Sequence, residues 1–114
     1  MTLTERAAGP VTIIDVDGKV TVTDANQLRD KVRSLLQQGR TQLIVNLARV
    51  AYMDSAGLGE LVQAYATVAR QGGALKLLNT TSKLRDLLVI TKLATIFESF
   101  DSEAAALASF GERA

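Results

Sequence analysis

The sequence predicts one α/β domain, in which a mixed, mostly parallel β-sheet of four to five strands packs with four to five α-helices. Short apolar segments alternate along the chain with segments whose apolar residues recur at helical spacing. Strands that alternate with helices are joined by right-handed crossovers, so most neighbouring strands run parallel. The 114 residues match the usual length of a single domain. We therefore expect one domain over residues 1–114, with its core between about residues 11 and 110.

The first predicted elements are a hairpin and a helix. Residues 11–16 are mostly apolar or β-branched and predict a strand. Asp17-Gly18 suits a tight turn because both positions accept positive φ, and residues 19–22 would form the partner strand. Asp24 is expected to cap the following helix. The apolar stripe of this helix consists of Ala25, Leu28, Val32, Leu35 and Leu36.

The rest of the chain predicts three more strands and three more helices. Residues 43–47 are an apolar strand suited to the centre of a parallel sheet, and residues 48–53 are expected to form a loop. Strands are also expected at residues 74–78 and 96–100, each followed by a short helix with a polar cap. The helix after the loop is expected to bury Leu58, Leu61, Val62, Tyr65, Val68 and Ala69.

The composition argues against several classes of function. The 13 basic and 12 acidic residues leave a net charge of +1, which gives no electrostatic reason to expect nucleic acid or an anionic membrane as partner. The chain has no His and no Cys, so it lacks the commonest general base and any thiol chemistry. We therefore expect no catalytic residues, cofactor or metal site, and no enzyme. No segment approaches the roughly 20 apolar residues of a membrane span, and we expect a cytoplasmic protein.

The segment Asp54-Ser55-Ala56-Gly57-Leu58-Gly59 is the part of the sequence that points to a functional site. Asp54 or Ser55 is the natural cap of the helix, and the unpaired amides of a first helical turn favour an anion such as a phosphate on Ser55. Two glycines in this turn cost about 1 kcal/mol each relative to alanine, which favours a surface that another molecule approaches closely. The alternative is an ordinary cap whose glycines only permit tight packing.

The stretch from Leu43 to Tyr65 resembles the signature of the STAS domain, the family of the anti-sigma factor antagonists. The resemblance extends over about Val11 to Phe110 and implies a STAS-type fold. In that family the serine of this motif, here Ser55, is phosphorylated by an anti-sigma factor that is also an ATP-dependent serine kinase. The unmodified antagonist binds the anti-sigma factor and releases the sigma factor. The phosphorylated form does not bind, and a PP2C-type phosphatase restores it.

The resemblance also implies which residues bind the partner. Asp54 would help to form the partner-facing loop, and residues 57–59 would be the exposed start of the helix. Thr21 and Asn46 stand where members often carry an aspartate, and both positions are expected near the contact surface. The full set of expected partner-binding residues is Thr21, Thr23, Asp54, Ala56, Gly57, Leu58 and Gly59.

Several alternatives stay open at the level of sequence. The leading function is a regulatory protein switched by phosphorylation of Ser55. The alternative is a permanent, non-catalytic STAS subunit of a larger assembly, such as a stress-signalling scaffold or the accessory protein of a transporter. Tyr52 is either a partner anchor or a core residue. A group of four basic residues is near the third predicted helix and consists of Lys76, Lys83, Arg85 and Lys92. This group forms either a small patch for acidic partners or an ordinary solvated face.

Overall fold

The computed structural model describes residues 1–24 and 26–111. These residues form five strands, four α-helices and one short 3₁₀ turn. The strands are β1 (Thr2–Ala8), β2 (Val11–Val20), β3 (Gln42–Met53), β4 (Ala74–Leu78) and β5 (Ser99–Phe100). The helices are α1 (Gln27–Gln37), α2 (Ser55–Arg70), α3 (Ser82–Ile90) and α4 (Glu103–Gly111), and the 3₁₀ turn is Val22–Asp24. Ala25, predicted on the stripe of the first helix, lies outside the described residues.

The five strands form one sheet in the order β1-β2-β3-β4-β5. β1 is antiparallel to β2, and every other neighbouring pair is parallel. The mixed, mostly parallel sheet confirms the predicted fold class. Because each parallel crossover moves to the next strand in the same direction, right-handed connections place α1, α2 and α3 on one face of the sheet.

Two apolar clusters cover the two faces of the sheet. The larger cluster packs the strands against α1, α2 and α3, and it includes the predicted stripe residues Leu28, Val32 and Leu35. The smaller cluster packs the opposite face against α4. Adjacent residues of a strand point to opposite faces, which is why Ile13 belongs to the smaller cluster and Ile14 to the larger one. On α2, Leu58, Leu61 and Val68 are buried as predicted, whereas Ala69 is exposed.

The hairpin predicted at Asp17-Gly18 is wrong. Residues 11–20 are the single strand β2, and Gly18 lies within it at φ 104°, beside an irregularity in the pairing with β3. Such a glycine permits a β-bulge as readily as a turn. The chain reverses instead at Gly9, with φ 61°, and Pro10, and β1 precedes this turn. β1 escaped prediction because it is an outer strand with mostly exposed, polar residues.

Residues 48–53, predicted as a loop, continue strand β3. They pair with the end of β2, where Arg49 lies opposite Asp17 and Met53 opposite Val20. β4 pairs with β3 only from Gln42 to Asn46. Within the described part of the chain, residues 47–53 therefore have a neighbouring strand on one side only, and this half of β3 extends beyond the rest of the parallel sheet.

Asp24 does not cap α1, contrary to the prediction. The residue at the cap is Asn26, whose side chain makes no capping hydrogen bond. The acceptor for the first turn comes from α2, where the buried carboxylate of Glu60 accepts a hydrogen bond from the backbone N–H of Arg29 at 3.1 Å. A carboxylate at a helix N-terminus complements the partial positive charge there.

Lys76 is not part of a surface group of basic residues. It is only 4% exposed, and its ammonium donates to Ser109 Oγ at 2.8 Å and lies 4.4 Å from the centre of the Phe110 ring. Both partners belong to α4, so Lys76 lies beneath this helix. Lys83, Arg85 and Lys92 are exposed, as a solvated face requires.

The cap predicted for the last helix is confirmed, since Ser102 Oγ accepts from Ala105 N at 3.2 Å.

Candidate functional site

Ser55 is the first residue of α2 and is exposed to solvent. The strand β3 ends at Met53, so only Asp54 separates the sheet from the helix. Asp54 is the N-cap, with φ −94° and ψ −177°, and its Oδ1 accepts a hydrogen bond from Gly57 N at 2.8 Å. The cap holds the Ser55 hydroxyl at the head of a long, well-packed helix, where another protein can reach it.

Asp54 also connects the start of α2 to the 3₁₀ turn. Its second carboxylate oxygen accepts from Val22 N at 3.3 Å, and its own backbone N–H donates to Val20 O at 3.2 Å. Thr21 and Thr23, whose hydroxyl oxygens are 2.8 Å apart, lie on either side of Val22. The structure thus places the predicted residues Thr21, Thr23 and Asp54 in one region beside Ser55.

Val22 belongs to this region and was missed by sequence reasoning. Its side chain is 66% exposed, although valine usually lies in a core. The sequence contains one indication that Val22 is exposed, because it stands at the end of a predicted strand between two polar threonines. The position of the 3₁₀ turn beside Asp54 was needed to show that this apolar side chain lies near Ser55.

The first turn of α2 has amides available for an anion. Asp54 occupies the N–H of Gly57 through its side chain and that of Leu58 through its carbonyl oxygen. The N–H groups of Ser55 and Ala56 have no acceptor among the described residues, as expected of the first positions of a helix. The first turn of α2 contains no acidic residue. A phosphate on Ser55 would therefore find two N–H donors and the positive end of the helix.

The two glycines of the motif have different roles. Gly57 is buried, and a Cβ atom at this position would lie 2.2 Å from the carbonyl oxygen of Val20. Gly59 is exposed, and a Cβ atom there would meet no described atom within 4 Å other than its chain neighbours and the backbone of its own helix. Tight packing thus explains Gly57, and only Gly59 is open to a partner. The expectation of an exposed helix start is wrong for Gly57 and also for Leu58, which is 6% exposed and belongs to the main core.

Asn46 does not lie near this region, contrary to the expectation. Its side chain donates to Asp15 Oδ1 at 2.8 Å and accepts from Asn79 Nδ2 at 3.3 Å, in a polar row across the sheet. The strand from Asn46 to Met53 spans roughly 23 Å at about 3.3 Å per residue. Asn46 therefore forms hydrogen bonds with polar side chains of the sheet, and it lies too far from Ser55 to alter the charge around that residue.

The described residues contain no group of three or more His, Cys, Asp or Glu that could hold a metal ion. None of the helices in this part of the chain is long and apolar enough to cross a membrane.

The STAS domain model matches residues 3–106, and the chain belongs to the STAS domain family. A curated relative, the anti-sigma-B factor antagonist of Bacillus subtilis (strain 168), is 40% identical over 85 residues, which cover 75% of this chain and 77% of the relative.

Two solved structures share the fold. A putative anti-sigma factor antagonist from Thermotoga maritima has a TM-score of 0.87 at 21% identity and covers 94% of this chain and 92% of its own. The Bacillus cell fate determinant SpoIIAA in its phosphorylated form has a TM-score of 0.75 at 22% identity and covers 96% and 99%. At these identities the two structures establish the similarity of the fold.

Proposed function

We propose that this chain is an anti-sigma factor antagonist whose unphosphorylated form binds an anti-sigma factor with serine kinase activity and so releases a sigma factor. Phosphorylation of Ser55 ends this binding, and a PP2C-type phosphatase reverses the modification. The observation that carries the proposal is the exposure of Ser55 at the first position of α2. The identity of 40% with an anti-sigma-B factor antagonist supports the choice of partner. The proposed role is regulatory, non-catalytic and cytoplasmic.

The proposed partner surface consists of the exposed residues around Ser55. Ala56 and Gly59 have small side chains or none, so a partner backbone can approach the helix closely there. Thr23 and Val22 supply a hydroxyl and an apolar contact from the neighbouring 3₁₀ turn. The buried Gly57 and Leu58 hold this backbone in place and contribute to binding indirectly.

The same geometry explains how one phosphate could act as a switch. A phosphoserine carries about −1.5 to −2 charges, which the free amides and the dipole of α2 can accept without unfolding the helix. A docked partner would have to remove water from this dianion at a cost of several kcal/mol if it stays unpaired. Since each 1.4 kcal/mol is a factor of ten in affinity, a cost of about 4 kcal/mol lowers binding roughly a thousandfold.

The first test measures partner binding by variants of Ser55. Serine-kinase anti-sigma factors from the organism that encodes this chain are titrated with the wild type, Ser55→Ala and Ser55→Asp. We expect the wild type and Ser55→Ala to bind alike, and Ser55→Asp to bind at least tenfold more weakly. Ser102→Asp is the matched control, because Ser102 caps α4 and aspartate is equally favoured at a cap. Equal affinities for all the variants would contradict the switch.

The second test asks where the phosphate is attached. After incubation of the full chain with the kinase and ATP, mass spectrometry should locate one phosphate on Ser55, and Ser55→Ala should stay unmodified. A PP2C-type phosphatase should then restore binding. If the native protein carries no phosphate and stays in one assembly under all conditions, the alternative function as a permanent subunit of a larger assembly replaces the switch.

A further inference from the structure

A groove lies between the free half of β3 and the start of α3. It has a volume of about 490 Å³, which is within the range of ligand-binding clefts. Val50 and Met53 line one wall, and Leu84 and Leu87 line the other. Tyr52 also lines the groove and is 54% exposed. The floor is thus apolar, while the rim is accessible to solvent.

The wall formed by β3 is a strand edge without a neighbour among the described residues. β4 pairs with β3 only up to Asn46, so residues 47–53 lack the second strand that residues 42–46 have. An unpaired edge presents backbone N–H and C=O groups to any extended chain placed beside it. An extended segment can satisfy part of this edge with its own backbone N–H and C=O groups, which distinguishes this groove from a general apolar cleft.

The opposite wall carries positive charge. α3 has no acidic residue in its first turn, and the exposed Lys83 is the second residue of the helix. Lys83 lines the groove, and the positive end of the α3 dipole lies at this same end of the helix. Acidic groups in the groove would therefore be attracted to the α3 side.

The shape of the edge disfavours a second copy of this chain as the occupant. The pairing of β2 with β3 is irregular after Asp15 and again after Gly18, and both irregularities place an extra residue in β3. The edge over residues 47–53 therefore offers only short runs of pairing groups, which suit a short peptide segment better than the long, flat edge that the association of two sheets requires. In addition, α3 stands opposite the edge, so the space between the two walls admits a single strand more readily than a folded sheet.

We propose that this groove binds an extended segment of a partner protein, which adds as a strand to the free edge of β3 and directs acidic side chains toward the start of α3. Alternate side chains of the segment would enter the apolar floor, since they point to one face of a strand. Ser55 does not line the groove, whose β3 wall ends at Met53, two residues earlier, and binding to the groove needs no phosphorylation.

The test selects peptides and then locates where they bind. The full chain is used as bait for a phage-displayed library of random peptides, and the selected peptides are titrated into ¹⁵N-labelled protein. We expect saturable shifts of the amide signals of residues 47–53 and of the first turn of α3, with acidic and apolar residues enriched in the peptides. N-methylation of alternate peptide backbone positions should weaken binding at least tenfold, because it removes the N–H donors of the strand.

Two charge-reversed variants provide the matched comparison. Lys83→Glu should weaken the binding of acidic peptides at least threefold, whereas Arg33→Glu, on the exposed side of α1, should leave it unchanged. The amide spectrum of each variant shows that it is folded. The proposal is overturned if no selected peptide shifts residues 47–53, if the shifts fall on β1 instead, or if the N-methylated peptide binds equally well. Because Ser55 is intact and unmodified throughout, none of these results bears on the proposed switch.

Discussion

At the scale of single residues, the two glycines of the motif show that one sequence pattern can serve two purposes. Gly57 allows the first turn of α2 to approach the backbone of β2, where Val20 O leaves no room for a side chain. Gly59 meets no such restriction. The motif therefore combines a packing requirement with an exposed, side-chain-free position on the same helix.

Substitution of each glycine by alanine should separate these roles. Gly57→Ala should lower the free energy of unfolding by about 1–3 kcal/mol, because the new methyl group collides with main-chain atoms that are held by the sheet. Gly59→Ala is the matched control and should raise the free energy of unfolding by up to about 1 kcal/mol through its better helix propensity. Urea denaturation measures both values. An unchanged stability of Gly57→Ala would show that β2 and α2 can move apart at this contact.

The site also depends on Asp54 more than its sequence position suggests. As the N-cap it satisfies an amide of its own helix, a role that sequence predicts. Its second oxygen binds Val22 N, which lies 32 positions earlier in the chain. Both roles together bring the 3₁₀ turn next to the serine, so this one carboxylate organises the proposed partner surface.

At the scale of elements, α1 and α2 are joined by more than apolar packing. Glu60 lies on the buried side of α2 and replaces the missing side-chain cap of α1. A carboxylate in such a position is costly to bury unless it is hydrogen-bonded, and the Arg29 amide provides the partner. The contact fixes where α1 begins relative to the helix that carries Ser55.

Removal of this acceptor should weaken the start of α1. Glu60→Ala should lower the free energy of unfolding by about 1–3 kcal/mol, because the partly buried Arg29 N–H loses its acceptor. Glu60→Gln keeps an oxygen at the same place and should retain more of the stability. Hydrogen exchange at the Arg29 amide should speed up in Glu60→Ala more than in Glu60→Gln. Equal exchange rates in the wild type and Glu60→Ala would rule out this contact as the cap.

At the scale of the whole molecule, one arginine links the edge strand to the last helix. Arg6 on β1 donates to Asp15 on β2 at 2.6 and 3.1 Å and to Glu103 on α4 at 2.8 and 3.3 Å. The hydrogen bond from Arg6 lowers the pKa of Asp15, and a second one from Asn46 acts in the same direction. The network thus connects segments from both ends of the chain on the sheet face opposite α2.

The lowered pKa of Asp15 predicts a dependence of stability on pH. Folding favours the ionised carboxylate, so its contribution is complete above the ordinary aspartate pKa of about 4 and is lost as the pH falls through the lower, folded-state pKa. Asp15→Asn should therefore reduce the free energy of unfolding by up to about 1 kcal/mol at pH 7, a small value because the ion pair is partly exposed.

This difference between the wild type and Asp15→Asn should shrink toward zero in strong acid, as followed by urea denaturation at several pH values. Asp86→Asn, at an exposed position of α3, is the control and should show a much smaller effect at pH 7. A difference for Asp15→Asn that stays constant down to the acid limit would contradict the role of its ionised form.

Sequence reasoning succeeded where a local pattern had only one structural solution. The apolar residues of α1 and α2 recur at helical spacing, and β4 is a short, mostly apolar run that follows two glycines, so each element can be identified without knowledge of its neighbours. It failed where two solutions were locally equivalent. Gly18 suits a turn and a bulge alike, and the polar edge strand β1 has the composition of a loop. Lys76 was grouped with surface residues because its partners on α4 lie 33 or more positions away.

By itself, the sequence determined the fold class, the family resemblance and the place of Ser55 at the head of a helix, because apolar periodicity and capping depend on residues close together in the chain. The tertiary structure alone decided which glycine is buried, that Val22 lies beside Asp54, and that Asn46 lies far from the site. It also decided that, among the described residues, half of β3 has a neighbouring strand on one side only. Each of these facts depends on contacts between residues distant in sequence, whose register is set by how the sheet and helices pack together.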